Sequence, residues 1–188
     1  YLLGLLNDIL DMSKIESGKL NIRQELFDLK NLVTSLADIN YGLATAKGLA
    51  FEIVISGFKD ELLLGDSMRV NQILLNLLSN AIKFTPKGGS VRLEIRMLRS
   101  ASDKIWLRFI VKDSGIGIPE DKKHKVFHRF EKLDEFAQGT GLGLSICKAI
   151  AESMGGYVGY ESRYGEGSLF WAVLPCNAEV QPLEKQLD

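Results

Sequence analysis

Three short segments of the chain carry residue types that could bind a metal ion and phosphate groups. Asn76 to Phe84 places two asparagines and Lys83 on a predicted helix, Asp113 to Gly117 leads a carboxylate into a glycine turn, and Gly139 to Leu144 is a glycine-rich loop entering a helix. An asparagine carbonyl is a neutral oxygen ligand of the kind that Mg²⁺ accepts, and a lysine meets phosphate as a point charge. Free amides at a helix start attract anions. Together the segments predict a nucleotide site.

The first segment lies on the most strongly amphipathic helix predicted, which follows Gly65 and Asp66. Its apolar residues recur every three or four positions and form one continuous face: Val70, Ile73, Leu74, Leu77, Leu78, Ala81 and Ile82. Asn76 and Asn80 lie one turn apart on another side, roughly 6 Å, so both could face one small ligand. We predict Asn80 as the metal ligand and Lys83 as a phosphate contact. Without the other segments, these residues could simply be the hydrated side of the helix.

Asp113 occupies an unusual place for a carboxylate. Apolar residues alternate along the preceding predicted strand, at 105, 107, 109 and 111, and the same parity puts Asp113 on the buried side. Burying an unpartnered charge costs several kcal/mol, so we expect dedicated hydrogen-bond donors. A carboxylate that only caps a turn is the alternative, but the following Gly115 and Gly117 favour one that faces a ligand.

The glycine loop alone is a weak signal. Gly139, Gly141 and Gly143 leave the backbone bare where a helix, predicted from Leu142 to about Met154, begins. The third glycine comes one residue too early for a dinucleotide-binding fingerprint, and no strand immediately precedes the loop. The Gly-x-x-x-x-Gly-Lys-Ser/Thr phosphate loop is absent from the sequence. We therefore predict a phosphate-binding loop of another kind.

The remaining periodicity predicts an α+β fold. Further helices are expected at residues 1–17 and 28–47, and strands at 51–55, 91–99, 105–111, 157–163 and 168–174. This order predicts a two-layer sandwich in which a mixed, mostly antiparallel sheet is covered on one face by helices, preceded by a helical arm. The first helix has too many apolar residues to stand alone, so it either packs on this chain or belongs to a helical bundle.

Composition excludes several classes. With 188 residues, 46% apolar and 25% charged residues, and a net charge of -1, the chain fits a folded domain with no global attraction to nucleic acid or anionic membranes. Cys147 and Cys176 have no zinc-site spacing, which favours a reducing, cytoplasmic compartment. No apolar run reaches the ~20 residues of a membrane span. The sequence around His124 and His128 shows no catalytic pairing with an acid, so we expect exposed helix positions rather than catalytic ones.

In their order and spacing, these segments resemble the catalytic, ATP-binding domain of bacterial sensor histidine kinases. That domain belongs to a larger family with gyrase, heat-shock chaperone and mismatch-repair ATPases. The similarity covers residues 1 to 175. It identifies an N box, a G1 box, an F box, a G2 box and a final glycine box at Asn76–Phe84, Asp113–Gly117, Phe127–Phe130, Gly139–Leu144 and Gly165–Phe170.

The resemblance implies ATP and Mg²⁺ as ligands. Asp113 would accept the adenine amino group, Asn80 would hold Mg²⁺, and Asn76 and Lys83 would help to bind phosphate. A lid at residues 119–143 would close over the nucleotide. The other implied contacts are Phe84 and Ile118 at the base, Arg129 or Lys132 as candidates at the phosphates, and Gly115, Gly117, Gly139, Thr140, Gly141, Leu142, Gly143, Leu144 and Ser168, where Ser168 replaces the more common threonine.

The resemblance also implies a domain plan and partners. Residues 1–25 look like the second helix of a dimerisation bundle, residues 26–176 like the catalytic domain, and 177–188 like a polar tail. The first bundle helix, with the phosphoacceptor histidine, would lie before Tyr1. The expected partners are that bundle in a homodimer and the receiver domain of a response regulator, without nucleic acid or direct membrane contact. The amino-acid sequence of residues 132–141 is similar to that of hybrid sensor kinases, which carry a receiver domain.

Two other functions remain to be weighed. A gyrase-like ATPase that hydrolyses ATP would need a catalytic glutamate on the helix of the two asparagines, and none occurs between Asp66 and Phe84. A degenerate kinase that signals by binding alone would need no intact site, whereas the residues of all the boxes are present here.

Overall fold

The computed structural model describes residues 2–59, 61–102, 104–132 and 139–178. The helices are α1 (Leu2–Glu16), α2 (Leu29–Lys47), α3 (Ser67–Phe84) and α4 (Gly143–Ser153), with a short 3-10 helix at Glu120–Lys125. The strands are β1 (Glu25–Phe27), β2 (Ala50–Ser56), β3 (Leu63–Gly65), β4 (Ser90–Arg99), β5 (Lys104–Asp113), β6 (Tyr157–Arg163) and β7 (Gly167–Ala178).

In the described ranges the strands form one mixed, mostly antiparallel sheet. The order is β1-β3-β7-β5-β4-β2, and β6 pairs with β7. β2 runs parallel to β4, and the other described pairs are antiparallel. Alternate residues of β4 and β5 are buried toward the helices, which places Asp113 on the core side at the end of β5. The predicted fold class is confirmed.

Helix α3 is the element that carries the first of the three segments. Its start is capped by Asp66, whose side chain accepts the Arg69 N–H at 3.1 Å, and a cap of this kind typically contributes about 1 kcal/mol. The whole predicted apolar face of α3 is buried against the sheet and its neighbours. The opposite side is therefore left for Asn76, Asn80 and Lys83.

Helix α1 lies against the domain and also presents apolar surface to solvent. Met12 is its buried residue, while Leu2, Leu3, Leu6 and Leu10 are exposed by 79, 71, 52 and 50%. The inner side is held by polar groups. Arg69 of α3 bonds Asp11 at 3.1 Å. Both sequence-based alternatives for this helix are thus compatible with its structure, because one side packs on this chain and the other lacks a cover among the described residues.

Three features differ from the expectations. Strands β1 and β3 were not predicted, since each has three residues. Strand β7 continues through Pro175, which lies between the part paired with β6 and the part paired with β3. A proline, which has no N–H, is tolerated where that edge has no described neighbour.

None of the described helices has the length and apolar character needed to cross a membrane.

Candidate nucleotide-binding site

A cavity of about 350 Å³ opens between α3, the end of β5 and the β6–β7 turn. Its walls are mostly apolar, with one carboxylate and a few hydroxyl and amine groups. The lining residues are Asn80, Ala81, Phe84, Asp113, Ile116, Gly117, Ile118, Pro119, Lys122, Leu144, Tyr164, Ser168 and Phe170. A mostly apolar cavity with a few polar groups, of which Asp113 is the carboxylate, suits a heteroaromatic base.

Asp113 has the donors that its burial demanded. Its Oδ1 accepts the Gly115 N–H at 2.9 Å and the Ser168 N–H at 3.3 Å, whereas no donor from the described residues bonds Oδ2. Burial raises the pKa of Asp113 above its ordinary value, and the two N–H bonds oppose this only in part. Since one oxygen is held by the backbone, the other can accept a donor from a ligand in the cavity.

The β6–β7 turn fixes the segment that leaves Asp113. The Gly165 N–H donates to the Ile116 carbonyl at 2.7 Å, and the Ile118 N–H donates to Ser162 Oγ at 2.8 Å. Gly117 has φ +69° and lies so close to the turn that a Cβ would stand 2.2 Å from the Arg163 carbonyl oxygen. A glycine is therefore required at 117 both for its backbone conformation and for this contact.

A second, more polar cavity of about 290 Å³ adjoins the first. The two share Asn80, Phe84 and Leu144 as a common wall. The second cavity is lined by Gly4, Leu5, Asp8, Asn76, Ser79, Asn80, Lys83, Phe84, Val126, Glu131, Lys132, Gly139, Thr140, Gly141, Gly143 and Leu144. Lys83, Lys132 and the glycine loop offer contacts for phosphates in this space, and the acidic side chains in its wall are Asp8, which is bonded to Thr140, and Glu131, which is paired with Lys125.

The two asparagines of α3 differ in their surroundings. Asn76 Nδ2 donates to the Gly143 carbonyl at 3.4 Å, which links α3 to the start of α4. The Asn80 amide makes no hydrogen bond to the described residues and stands between the two cavities. Lys83 follows on the same side, and its Nζ would be 3.1 Å from a Cβ at Gly139. The predicted grouping of these three residues is present in the structure.

Hydrogen bonds of the Thr140 side chain connect the glycine loop to α1. Thr140 Oγ1 accepts the Leu142 N–H at 3.1 Å and donates to Asp8 Oδ2 at 3.0 Å. Burial raises the pKa of Asp8, while its bond with Thr140 acts in the opposite direction. Gly141, with φ +73°, lies against the backbone of Phe130, so the loop packs on the described end of the lid segment.

Some predicted site residues lie away from the cavities. Arg129 is ion-paired with Glu16 of α1 and lines neither cavity, so its role as a phosphate contact stays a prediction. Gly115 acts through Asp113, and Leu142 is fully buried beneath the loop. Lys132 does line the second cavity, and its contact with phosphate stays a prediction.

The aromatic and histidine side chains of the lid segment differ in their exposure. Phe127 packs on Tyr160 and Phe170, whereas Phe130 is 66% exposed. The two histidines are exposed, as predicted. A third lid phenylalanine, at position 136, lies outside the described residues.

Sequence reasoning missed several lining residues. Gly4, Leu5 and Asp8 come from α1, which is remote in sequence from the rest of the second cavity. Lys122 and Tyr164 line the first cavity. Lys122 follows the G1 box closely in sequence, so its place in the lining of the first cavity could have been predicted from that spacing. Tyr164 depends on how the hairpin folds back, which no local pattern reports.

This geometry agrees with the comparison with known families. The family described as "Histidine kinase-, DNA gyrase B-, and HSP90-like ATPase" matches residues 65–178, well over half of the chain. The chain belongs to this family. The matched residues include both asparagines of α3, Asp113, the glycine loop and the β6–β7 hairpin, so the match covers the two cavities except for the part supplied by α1.

Curated relatives of this ATPase domain include sensor histidine kinases and hybrid signal transduction proteins. The chain is 38% identical over 187 residues to the "Sensory/regulatory protein RpfC" of Xanthomonas campestris pv. campestris, covering 97% of this chain and 26% of that protein. It is 41% identical over 179 residues to the "Sensor histidine kinase GacS" of Pseudomonas protegens, covering 92% and 19%. The "Hybrid signal transduction protein dokA" of Dictyostelium discoideum is 41% identical over 181 residues, with 90% and 11% covered. The chain thus spans about a quarter or less of these relatives.

Solved structures give the same family relation. Full-length ShkA in complex with AMPPNP has a TM-score of 0.80 and 31% identity, covering 97% of this chain and 37% of that one. The Acinetobacter baumannii histidine kinase AdeS has a TM-score of 0.69 and 25% identity, covering 92% and 77%.

Proposed function

We propose that this ATPase domain is the catalytic part of a two-component sensor histidine kinase, and that it transfers the γ-phosphoryl group of ATP to a histidine on a dimerisation bundle. The single observation that carries the proposal is the pair of adjoining cavities with Asn80 at their common wall. One cavity has the shape and the acceptor for adenine, and the other has the cations and glycine loop for phosphates. The kinases among the relatives support the choice of reaction.

The residues fit Mg²⁺ at the junction of the cavities. The Asn80 amide has no hydrogen-bond partner among the described residues, and its carbonyl oxygen is a hard, neutral ligand. Asn80 would hold the ion, with Asn76 beside it on the same helix. When bound, Mg²⁺ would supply positive charge that neutralises the phosphates. No acidic side chain of α3 would compete with the phosphates, because the helix contains none.

This chain would contribute placement and charge rather than covalent chemistry, as is usual in phosphoryl transfer. Asp113 would orient the adenine through its amino group, and Phe84 and Ile118 would cover the ring. Lys83, Lys132 and the amides of the glycine loop would hold the phosphates. The absence of a glutamate from α3 favours transfer to an external acceptor over activation of water for hydrolysis.

The proposal includes the partners. The acceptor histidine would come from the bundle of which α1 is the second helix, in a homodimer, and the phosphoryl group would pass on to a receiver domain of a response regulator. The exposed leucines of α1 support the bundle, because they lack a cover in the described chain. We place this activity in the cytoplasm, where ATP is supplied and where the two buried, unpaired cysteines would stay reduced.

The test is transfer of labelled phosphate. The chain would be mixed with a separately produced histidine-bearing bundle from the same protein, Mg²⁺ and γ-labelled ATP. We expect an acid-labile, base-stable label on the bundle. Release of inorganic phosphate without a labelled bundle would favour a hydrolytic ATPase, and ATP binding without either product would favour a binding module.

A further inference from the structure

Two serine hydroxyls and one backbone carbonyl form a cluster at the wall of the base cavity. Ser162 Oγ, on β6, stands 2.8 Å from the Ile118 nitrogen, 3.1 Å from the Gly167 carbonyl oxygen and 2.8 Å from Ser168 Oγ. Ser168 lines the cavity, whereas Ser162 does not. Ser162 therefore cannot touch a bound base, but it contacts three groups that shape the base cavity.

The number of protons in this cluster determines the direction of each bond. The Ile118 N–H can only donate, so Ser162 Oγ accepts from it. Ser162 has one hydroxyl proton, and the Gly167 carbonyl can only accept, so all three contacts can be hydrogen bonds only when Ser162 donates to Gly167. The remaining contact, between the two serines, must then be a bond that Ser168 donates to Ser162. This is the arrangement in which each of the three contacts has a proton.

The consequence concerns the surface that Ser168 presents to the cavity. Because its proton is directed backwards to Ser162, Ser168 offers lone pairs alone to a ligand. Asp113 Oδ1 is held by the N–H groups of Gly115 and Ser168, so its Oδ2 also faces the cavity as an acceptor. Two neighbouring acceptors match a 6-amino purine and oppose a 6-oxo purine, whose oxygen would meet lone pairs on both sides.

We infer that Ser162 is a positioning residue for base selectivity: by taking the Ser168 proton, it makes Ser168 an acceptor and so strengthens the preference for 6-amino over 6-oxo purine nucleotides. This inference rests on the proposed ATP-binding function. A purely structural role for Ser162, as an anchor for Ile118 at the start of the lid segment, would instead affect all nucleotides alike.

The experiment compares ATP with inosine triphosphate, which carries a 6-oxo group and lacks the 2-amino group of guanine. Dissociation constants for both nucleotides with Mg²⁺ would be measured by calorimetry on the full chain and on Ser162→Ala, Ser168→Ala and the double variant. Removing Ser162 frees the Ser168 proton to donate into the cavity. We expect Ser162→Ala to lower the ATP-over-inosine triphosphate preference roughly three- to tenfold, the size of one net hydrogen bond.

The double variant tests the route of the effect. Without the Ser168 hydroxyl there is no proton to redirect, so adding Ser162→Ala to Ser168→Ala should leave the preference unchanged. Ser162→Thr keeps the hydroxyl and should keep the wild-type preference. If Ser162→Ala does not fold, Ser162→Cys carries the test, since a thiol of similar size accepts a hydrogen bond only weakly.

Equal weakening of both nucleotides by Ser162→Ala would overturn the inference and leave Ser162 as a structural anchor. The inference would also be overturned if Ser162→Ala changed the nucleotide preference by the same factor in the wild-type chain and in the Ser168→Ala variant. A wild-type chain that binds no ATP would contradict the proposed function itself, and this outcome is distinguishable because it appears before any variant is measured.

Discussion

Replacing Asp113 by asparagine should separate nucleotide binding from stability. The amide oxygen can still accept the N–H groups of Gly115 and Ser168, which hold Oδ1 at 2.9 and 3.3 Å. These two donors fix the orientation, so the new NH₂ replaces Oδ2 and faces the cavity. A donor would then meet the adenine amino group. Losing one bond to a charged acceptor corresponds to about 1.5–3 kcal/mol, or a roughly 10- to 150-fold weaker affinity for ATP.

The same variant should not be less stable at neutral pH. Burial raises the pKa of Asp113 in the folded chain. A carboxyl whose folded pKa is raised contributes its full stability below the ordinary pKa of about 3.9, and that contribution is lost as pH rises through the folded value. At pH 7 the wild type therefore carries a cost that asparagine lacks. We expect the variant to match or exceed the wild-type melting temperature at pH 7, with the difference shrinking below about pH 4.

The assay combines ATP·Mg²⁺ calorimetry at pH 7 with thermal unfolding between pH 3 and 8. Asp38→Asn provides the matched control, because Asp38 is an exposed carboxylate on α2 that lines neither cavity. It should leave the affinity for ATP unchanged. An Asp113→Asn variant with wild-type affinity would refute the adenine assignment. A large drop in its melting temperature at pH 7 would refute the electrostatic reasoning.

Three further predictions follow from the geometry. Asn80→Ala should weaken ATP binding by roughly tenfold in the presence of Mg²⁺, because the contact between the amide oxygen and the metal ion is lost. With a chelator in place of Mg²⁺ the loss of affinity should be far smaller. An equal loss under both conditions would contradict the role of Asn80 as a metal ligand. Gly117→Ala should lower the free energy of unfolding by about 3 kcal/mol or more, because a Cβ would meet the Arg163 carbonyl oxygen at 2.2 Å in addition to the left-handed backbone. Gly88→Ala, with φ +91° and open space around the Cβ, is the control and should cost only about 1–2 kcal/mol in chemical denaturation. The thiols of the two cysteines, whose pKa burial raises to about 12, should stay unreactive toward a disulfide reagent at pH 8 until the chain unfolds; rapid labelling of the folded chain would contradict their burial.

Local periodicity was enough to predict the elements that hold the site. The apolar face of α3 repeats without interruption, so the position of Asn80 on the other side followed from helix geometry. The alternation of β5 extended to Asp113, and both its burial and its need for N–H donors were confirmed. These features depend on residues close in sequence, whose spacing alone fixes the direction of the side chains.

Features that depend on long-range packing could not be predicted. Asp8 reaches the glycine loop across 132 positions, and no pattern within α1 reports that partner. The family resemblance made Arg129 a candidate phosphate contact, which stays a prediction, and nothing in the local sequence indicated its ion pair with Glu16, also of α1. The three-residue strands β1 and β3 are too short for a period of two to be visible, and their pairing depends on the path of the whole chain.

The most direct test of the central claim is a crystal structure of the chain with a non-hydrolysable ATP analogue and Mg²⁺. We predict the adenine amino group within hydrogen-bond distance of Asp113 Oδ2, the metal on the Asn80 carbonyl oxygen, and the phosphates between Lys83 and the glycine loop. A nucleotide bound elsewhere, or an adenine turned away from Asp113, would contradict the account.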